Sequence, residues 1–404
     1  MDNGAYSVKV GWSIDKQPRV VPNCVVKTKN DRKRIYVGEE LEDCVEKGSL
    51  YYNRPAERGY IVNWDTQQKV WEGTLRNTPT KGANLVFTHP GQLVPAIRDN
   101  SCEILFESFQ FNGIYPTSTA NLIGMAPRRS RACLVVDCGF SFTHIVPLLD
   151  GLVIEEGLIR VDVGGKMLTN QLKEWVSFRD VNVVEETHMM NECKEDACFV
   201  SLDFSRDMTI AGRRGNDNSI VREYVLPDYV STFRGVLRAP IKNPGEDAQK
   251  IRLNVERFSV PEALFSPSDI GIEEMGIAEA IAESVARCPP NLSGLLLSNI
   301  HLIGGSTLFP NFTERLLREV RSLTEGGLRV GIAEDQDGVD PITRGWAAGR
   351  SLVEGGGMDI RNFVTIQDYR EHGADRIGIR KMRQTTEDAE EADDTTTPAR
   401  RGRQ

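Results

Sequence analysis

Apolar side chains along this chain fall into short β-branched runs set off by turn residues. Between them lie longer stretches with a helical repeat, the alternation expected of an α/β protein. Residues 5–26 read as two short strands around a Pro-containing turn, with Val8, Val10, Val20, Val21, Val25 and Val26 as the β-branched content. Lys27–Arg34 (KTKNDRKR) is a basic turn between strands. The spacing of Val70, Trp71 and Leu75 predicts an amphipathic helix over 65–77, with Asp65 as its N-cap. Residues 132–136 (ACLVV) predict a buried strand, then a turn at 137–141 and a second strand through Thr143–Leu149. Helices are predicted over 164–176 and 272–287. Residues 227–250 are polar, carry Pro and Gly and have little periodicity, as in an insertion or long loop. Ile300–Ile303 reads as a strand running into Gly304-Gly305-Ser306-Thr307, and Pro310 precedes a helix through about Leu323. From Arg383 to Gln404 large apolar side chains give way to acidic residues, threonines and arginines, so a disordered tail is expected.

Composition narrows the function classes. With 404 residues the chain is long enough for two or three domains. Its formal charge of −9 argues against broad binding to a nucleic-acid backbone, which needs a basic face. No apolar run is long enough to cross a bilayer, and no charged-then-apolar signal segment follows Met1. The eight cysteines are scattered with no Cys-x-x-Cys pair, which argues against zinc and thioredoxin-type sites and for a reducing compartment, cytosol or nucleus. His89, His188, His301 and His372 share no metal-ligand spacing. Trp64, Trp71 and Trp346 read as packing residues, and Arg128-Arg129-Ser130-Arg131 as a solvated loop.

The candidate chemistry sits in an internal repeat. Asp2-Asn3-Gly4 and Asp137-Cys138-Gly139 each open a turn that leads into an outgoing strand. A glycine in such a turn lets peptide N–H groups approach an anion closely. A carboxylate at the strand end can hold a hydrated magnesium ion. Two such turns facing each other would clamp a triphosphate between two lobes, and Gly304-Gly305-Ser306-Thr307 follows a third strand. The second copy has its incoming strand, whereas the first has only Met1 before Asp2. A central strand of the first lobe is therefore expected to be missing or frayed.

These residues resemble the actin family over nearly the whole chain, from Asp2 to about Met382. The resemblance rests on Asp2–Gly11, Gly59–Trp71 (GYIVNWDTQQKVW), Leu105–Phe109, Val136–Pro147 (VDCGFSFTHIVP), Arg160–Thr169, Phe199–Phe204, Glu256–Ser268 and Ile303–Pro310 (IGGSTLFP), in that order. It implies an actin-like ATPase fold: two related α/β lobes, four subdomains in all, around a nucleotide cleft. By that resemblance the first lobe is 1–127 plus 343–382, with 23–61 as a small outer subdomain. The second lobe is 128–342, with an outer subdomain over about 166–256 that carries the 227–250 insertion. Residue by residue, Asp2, Gly4 and Lys9 match the first phosphate loop, and Asp137 and Gly139 the second. Lys194 and Glu195 match the pair at the ribose and base, and Gly165 a glycine at the sugar. Gly304, Gly305, Ser306, Leu308 and Phe309 match the adenosine loop. The implied cofactor is ATP or ADP with magnesium, the metal held through water by Asp2 and Asp137.

Departures from the family pattern change the expected activity. Ala5 stands where the family has a hydroxyl at the terminal phosphate. Phe140 replaces a carboxylate, Ser141 a glycine, Thr119 a water-positioning glutamine, and Ile342 falls near a lysine that packs on the base. Phosphoryl transfer is mostly positioning and electrostatics, and loss of one such contact typically costs about 10²-fold or more. Hydrolysis is therefore expected to be lost, with Phe140 rebuilding the cleft mouth and Phe142 acting as an ordinary apolar residue. His144 resembles a cleft histidine and reads as a structural imidazole. The short 23–58 stretch argues against a homopolymer. Within the family the narrower resemblance, carried by CGFSFTHIVP, Pro22-Asn23-Cys24 and the insertion, is to a nuclear actin-related subunit of SWR/SRCAP-type complexes, which exchange a histone variant into nucleosomes. That resemblance implies nuclear and also cytoplasmic location. The implied partners are a remodelling motor subunit and a small zinc-finger HIT-type subunit, together with histones or nucleosomal DNA. Lys27–Arg34 and the acidic stretch Glu387–Asp394 are candidate contacts for the last two, or simply solvated segments. The alternative is an ATP-hydrolysing, filament-forming cytoskeletal protein.

Overall fold

The computed structural model describes residues 1–28, 34–41, 44, 50–91, 94–126, 130–179, 181–229, 232–240, 249–333 and 338–373. The tail 383–404, the centre of the basic turn, Arg128, Arg129 and residues 230, 231 and 241–248 of the insertion lie outside this set.

Two sheets carry the structure. The first has six strands in the order Val364–Thr365, Gly113–Ser118, Asn84–His89, Asp2–Asn3, Ser7–Val10 and Arg19–Pro22. The second is built on Leu152–Val153, Thr143–Leu149, Ala132–Cys138 and Ile300–Ile303, with Ile159–Val161 also paired to Thr143–Leu149. The internal repeat reappears as register. Asp2 pairs antiparallel with Lys9 and parallel with Thr88, while Asp137 is opposite His144 and Ile303 in the same two senses. Each aspartate thus sits at the same place in its sheet, between a hairpin partner and a parallel neighbour. The first copy has a strand of only two residues here, Asp2–Asn3, so the central strand is present but short. It is anchored on the parallel side, where Thr88 N donates to Met1 O at 3.1 Å.

Burial follows from strand direction. Parallel strands covered on both faces need apolar side chains throughout, and Ile300–Ile303 is buried at every position. The helices Gly165–Arg179, Ile277–Arg287 and Phe312–Leu323 turn apolar stripes onto this sheet and form the larger core. The first sheet packs on Trp64–Leu75, whose buried face is Thr66, Gln67, Val70, Trp71, Thr74 and Leu75, a helical stripe. Two small outer sheets complete the layers: Ile35–Val37, Val25–Thr28 and Leu50–Asn53 over buried Cys24, Val26, Tyr36 and Cys44, and Val236–Arg238, Arg222–Val225 and Lys250–Leu253.

Several sequence expectations need correction. Residues 5–26 give two strands in the first sheet and begin a third, Val25–Thr28, in the outer one, because Cys24 turns the chain between them. The helix cap is Asn63, whose Oδ1 accepts from Thr66 N at 3.0 Å; Asp65 lies one turn-position inside. The expected loop 227–250 contains the edge strand Val236–Arg238, held by Arg222–Val225. The helix predicted from 272 starts at Ile277, after the turn that ends at Gly271, where a positive φ of 78° suits glycine.

Trp71 links these layers to the first turn. It is fully buried, packs edge-on to Phe87 with ring centroids 5.8 Å apart, and donates from Nε1 to Asn3 Oδ1 at 3.0 Å. Trp71→Ala is expected to lower stability by about 3–5 kcal/mol. Equilibrium urea unfolding checks this; a loss below about 1 kcal/mol would show that the site collapses around the gap.

Candidate functional site

Between the two sheets lies a cavity of about 500 Å³. Its floor is made by the two repeated turns, and one wall by the loop after Ile300–Ile303. The first turn and this loop need their glycines, whereas a Cβ on Gly139 in the second turn would meet only ordinary contacts, Phe142 O at 3.4 Å being the nearest. A Cβ on Gly4 would sit 2.9 Å from Ser7 O, and one on Gly304 would lie 2.3 Å from Cys138 O. Gly304 also has a φ of 89°, so only glycine lets this loop press against the second turn.

At the floor, Asp2 is buried. Its Oδ1 accepts from Thr88 Oγ1 at 2.7 Å, and its Oδ2 lies 3.3 Å from Lys9 Nζ. Asp137, at the equivalent register position, is enclosed by protein with a fringe of surface open to the cavity. Burial raises its pKa to about 6, the nearby Asp2 charge adds to this, and Lys9 opposes it. Lys194 is buried and donates to Gly165 O, Thr169 Oγ1 and Asn191 Oδ1 at 3.1, 2.9 and 2.8 Å. Burial lowers its pKa to about 8 against the pull of Glu195. Its amine is thus engaged by the protein and serves to shape the wall.

All thirteen residues singled out from sequence line this cavity: Asp2, Gly4, Lys9, Asp137, Gly139, Gly165, Lys194, Glu195, Gly304, Gly305, Ser306, Leu308 and Phe309. So do the departures Ala5, Thr119, Phe140, Ser141 and Ile342. Phe142 differs from a plain core residue. It is buried but lies at the lobe boundary, against Gly59 of the first lobe and 4.1 Å from the His144 ring, with the Arg160 guanidinium 4.4 Å above it. His144 is buried beside it, and its Nε2 has no hydrogen-bond partner among the described residues. Burial, then Arg160, lowers its pKa to about 4, so the imidazole is neutral.

The sequence reading missed a set of contacts at the cavity mouth. The rings of Tyr6 and Phe140 meet at 4.9 Å, one from each turn. The Arg54 guanidinium lies 4.6 Å from the first ring and 5.0 Å from the second. Asn191 Nδ2 donates to Tyr6 Oη at 3.0 Å and to Glu195 Oε1 at 2.7 Å. Arg160 donates to Tyr60 Oη and Arg58 O across the lobes, and Tyr52 stacks on His188. The signal that could have found Tyr6 was its bulk at a turn position between two glycine-dependent contacts.

The donor set suits a nucleotide with magnesium. Two carboxylates, one with its ionisation resisted by the other, match a divalent cation, and the close backbone approach at Gly4 and Gly304 leaves room for an anion against the main chain.

Comparison with known proteins agrees with this geometry. The family model described as Actin matches residues 1–382. An actin-like protein of Caenorhabditis elegans is 43% identical, with 92% of this chain and 89% of that protein covered. Actin-related protein 6 of Drosophila melanogaster is 38% identical over 94% of this chain and 98% of its own length. Actin-related protein 6 of Arabidopsis thaliana is 34% identical, with 93% and 97% covered.

The buried carboxylate has a measurable signature. Asp137 titrates near 6 in the folded chain against 3.8 ordinarily, so between those values the folded state binds the extra proton. Stability should therefore fall as pH rises from about 4 to about 6, by at most about 3 kcal/mol from this group. Asp137→Asn should flatten that window and, in chelator at pH 7.5, melt above the wild type by scanning fluorimetry. Magnesium with ADP should raise the wild-type melting point and leave the variant unmoved. A variant that melts below the wild type in chelator would show that the carboxylate is not under strain.

Proposed function

The chain belongs to the actin family, and from that premise we propose that it is a non-polymerising scaffold subunit of a chromatin-remodelling complex that exchanges a histone variant into nucleosomes. In this reading the cleft holds ATP or ADP as a structural element. Asp2 and Asp137 hold magnesium through water, the turns at Gly4 and Gly139 face the phosphates, and the loop Gly304–Phe309 receives the base. Magnesium there would neutralise phosphate charge. The chain's own side chains do the rest: Lys9 balances Asp2 across 3.3 Å, and Lys194 keeps Gly165, Thr169 and Asn191 in one arrangement.

One observation carries the proposal. Ala5, Thr119 and Phe140 face the cavity where a hydrolytic site needs a hydroxyl, a water-orienting amide and a second carboxylate. Ala5 and Phe140 can neither orient nor deprotonate water, and Thr119 offers a short hydroxyl in place of a long amide, so recognition is the role this reading leaves to the fold. The similarity to proteins named actin-related protein 6 supports the narrower assignment. Its proposed partners are a remodelling motor subunit and a small zinc-finger HIT-type subunit, with histones or nucleosomal DNA beyond them, and its proposed location is the nucleus and also the cytoplasm.

Affinity purification from native cells with partner identification tests this. Copurification with a large remodelling motor and a small zinc-finger subunit is expected. The isolated protein should show no multiple-turnover ATP hydrolysis and should stay in the supernatant when spun with magnesium and ATP. Turnover at actin-like rates, or pelleting under those conditions, would favour the filament-forming ATPase instead.

A further inference from the structure

We infer that the Tyr6–Phe140 pair is a fixed plug between the two phosphate turns, and that it makes the cleft select a nucleoside diphosphate over a triphosphate. This rests on the nucleotide reading proposed above.

The two turns reach toward each other across the cavity, and a phosphate gripped from both sides would lie between their tips. That space holds two aromatic rings in van der Waals contact, with centroids 4.9 Å apart. Both rings line the cavity. Neither can swing away without loss. The Tyr6 hydroxyl accepts from Asn191 Nδ2 at 3.0 Å, and the Tyr6 carbonyl accepts from Arg54 Nη1 at 3.2 Å. The Phe140 ring packs against Tyr6 and lies 5.0 Å from the Arg54 guanidinium, on a backbone fixed by Lys166 N donating to Phe140 O at 2.7 Å and Gly165 N to Gly139 O at 3.0 Å. Arg54 caps both rings from the outer side and is not among the cavity-lining residues. The rings therefore also screen the Arg54 guanidinium from anything inside.

Charge points the same way. The cations lining the cavity among the described residues are Lys9 and Lys194; the carboxylates are Asp2, Asp137 and Glu195. Lys9 is paired with Asp2, and Lys194 is held by three neutral oxygens on the wall. Among the described residues no cation beyond these two lines the cavity to receive a third phosphate, which adds both bulk and a further negative charge. Selection here comes from a built-in clash and missing countercharge against the longer ligand, not from extra contacts to the shorter one.

Isothermal titration of the nucleotide-stripped full chain with ADP and with ATP, each with magnesium, reads the selectivity as a ratio of dissociation constants. The wild type should bind ADP at least about tenfold more tightly. Phe140→Ala and Tyr6→Ala each remove half of the plug and should bring the ratio to within about threefold. The ratio separates plug from scaffold, because general damage to the cleft weakens both nucleotides alike. Whichever variant keeps a cooperative thermal transition is informative, and wild-type selectivity alone can refute the idea. Equal wild-type affinities for ADP and ATP, or a ratio unmoved in a folded variant, overturns the plug. Binding of neither nucleotide by the wild type overturns the nucleotide reading itself, and the plug with it.

Discussion

Two carboxylates of like charge stand close together at the bottom of the cleft, and much of the surrounding structure exists to hold them there. Asp2 and Asp137 end strands of the same register in two sheets, each beside a hairpin partner and a parallel neighbour. Burying either one costs free energy unless something answers its charge. Lys9 and Thr88 answer Asp2, while Asp137 has its ionisation resisted by burial and by its counterpart. Such a pair offers a place suited to a divalent cation. The glycine contacts at Gly4 and Gly304 are needed because the backbone must come close to that place.

Much of this was legible before any coordinates. Strands announce themselves when both faces are buried, so Thr143–Leu149 and Ile300–Ile303 could be read to the residue, as could the end of the helix at Leu323. The thirteen cavity residues could be read because each matches, in order, a position of the family pattern that the chain resembles; Lys194 and Glu195 lie on the helix Thr187–Ala197, where no local pattern marks them. What escaped was everything that depends on two distant segments meeting. Arg54 reaches Tyr6 and Phe140, Asn191 reaches Tyr6, and Arg160 reaches Tyr60, over separations that no local pattern records. The edge strand Val236–Arg238 was missed for a related reason. An edge needs little apolar content when its partner strand supplies the pairing.

The departures from a hydrolytic site also read differently in three dimensions. In sequence, Phe140 is a lost carboxylate and Tyr6 goes unremarked. In the structure the two form one object, gripped by Arg54 and Asn191, so loss at one position is matched by gain at another. In the proposed reading, the cleft is rebuilt for holding rather than decayed.

Asn191 has a consequence of its own. Its amide nitrogen serves Tyr6 and Glu195 together, while its carbonyl accepts from Thr169 and Lys194. One side chain thus joins the cavity wall at Lys194 and Glu195 to the tips of the turns, and through Tyr6 to the opposite lobe. An occupant that tightens this chain stiffens the relation between lobes, and a partner gripping both lobes meets a stiffer surface. Linkage then runs both ways: by whatever factor the occupant strengthens the partner's grip, the partner raises the affinity for the occupant equally. In the proposed scaffold, assembly and occupancy of the cleft would thus hold each other in place.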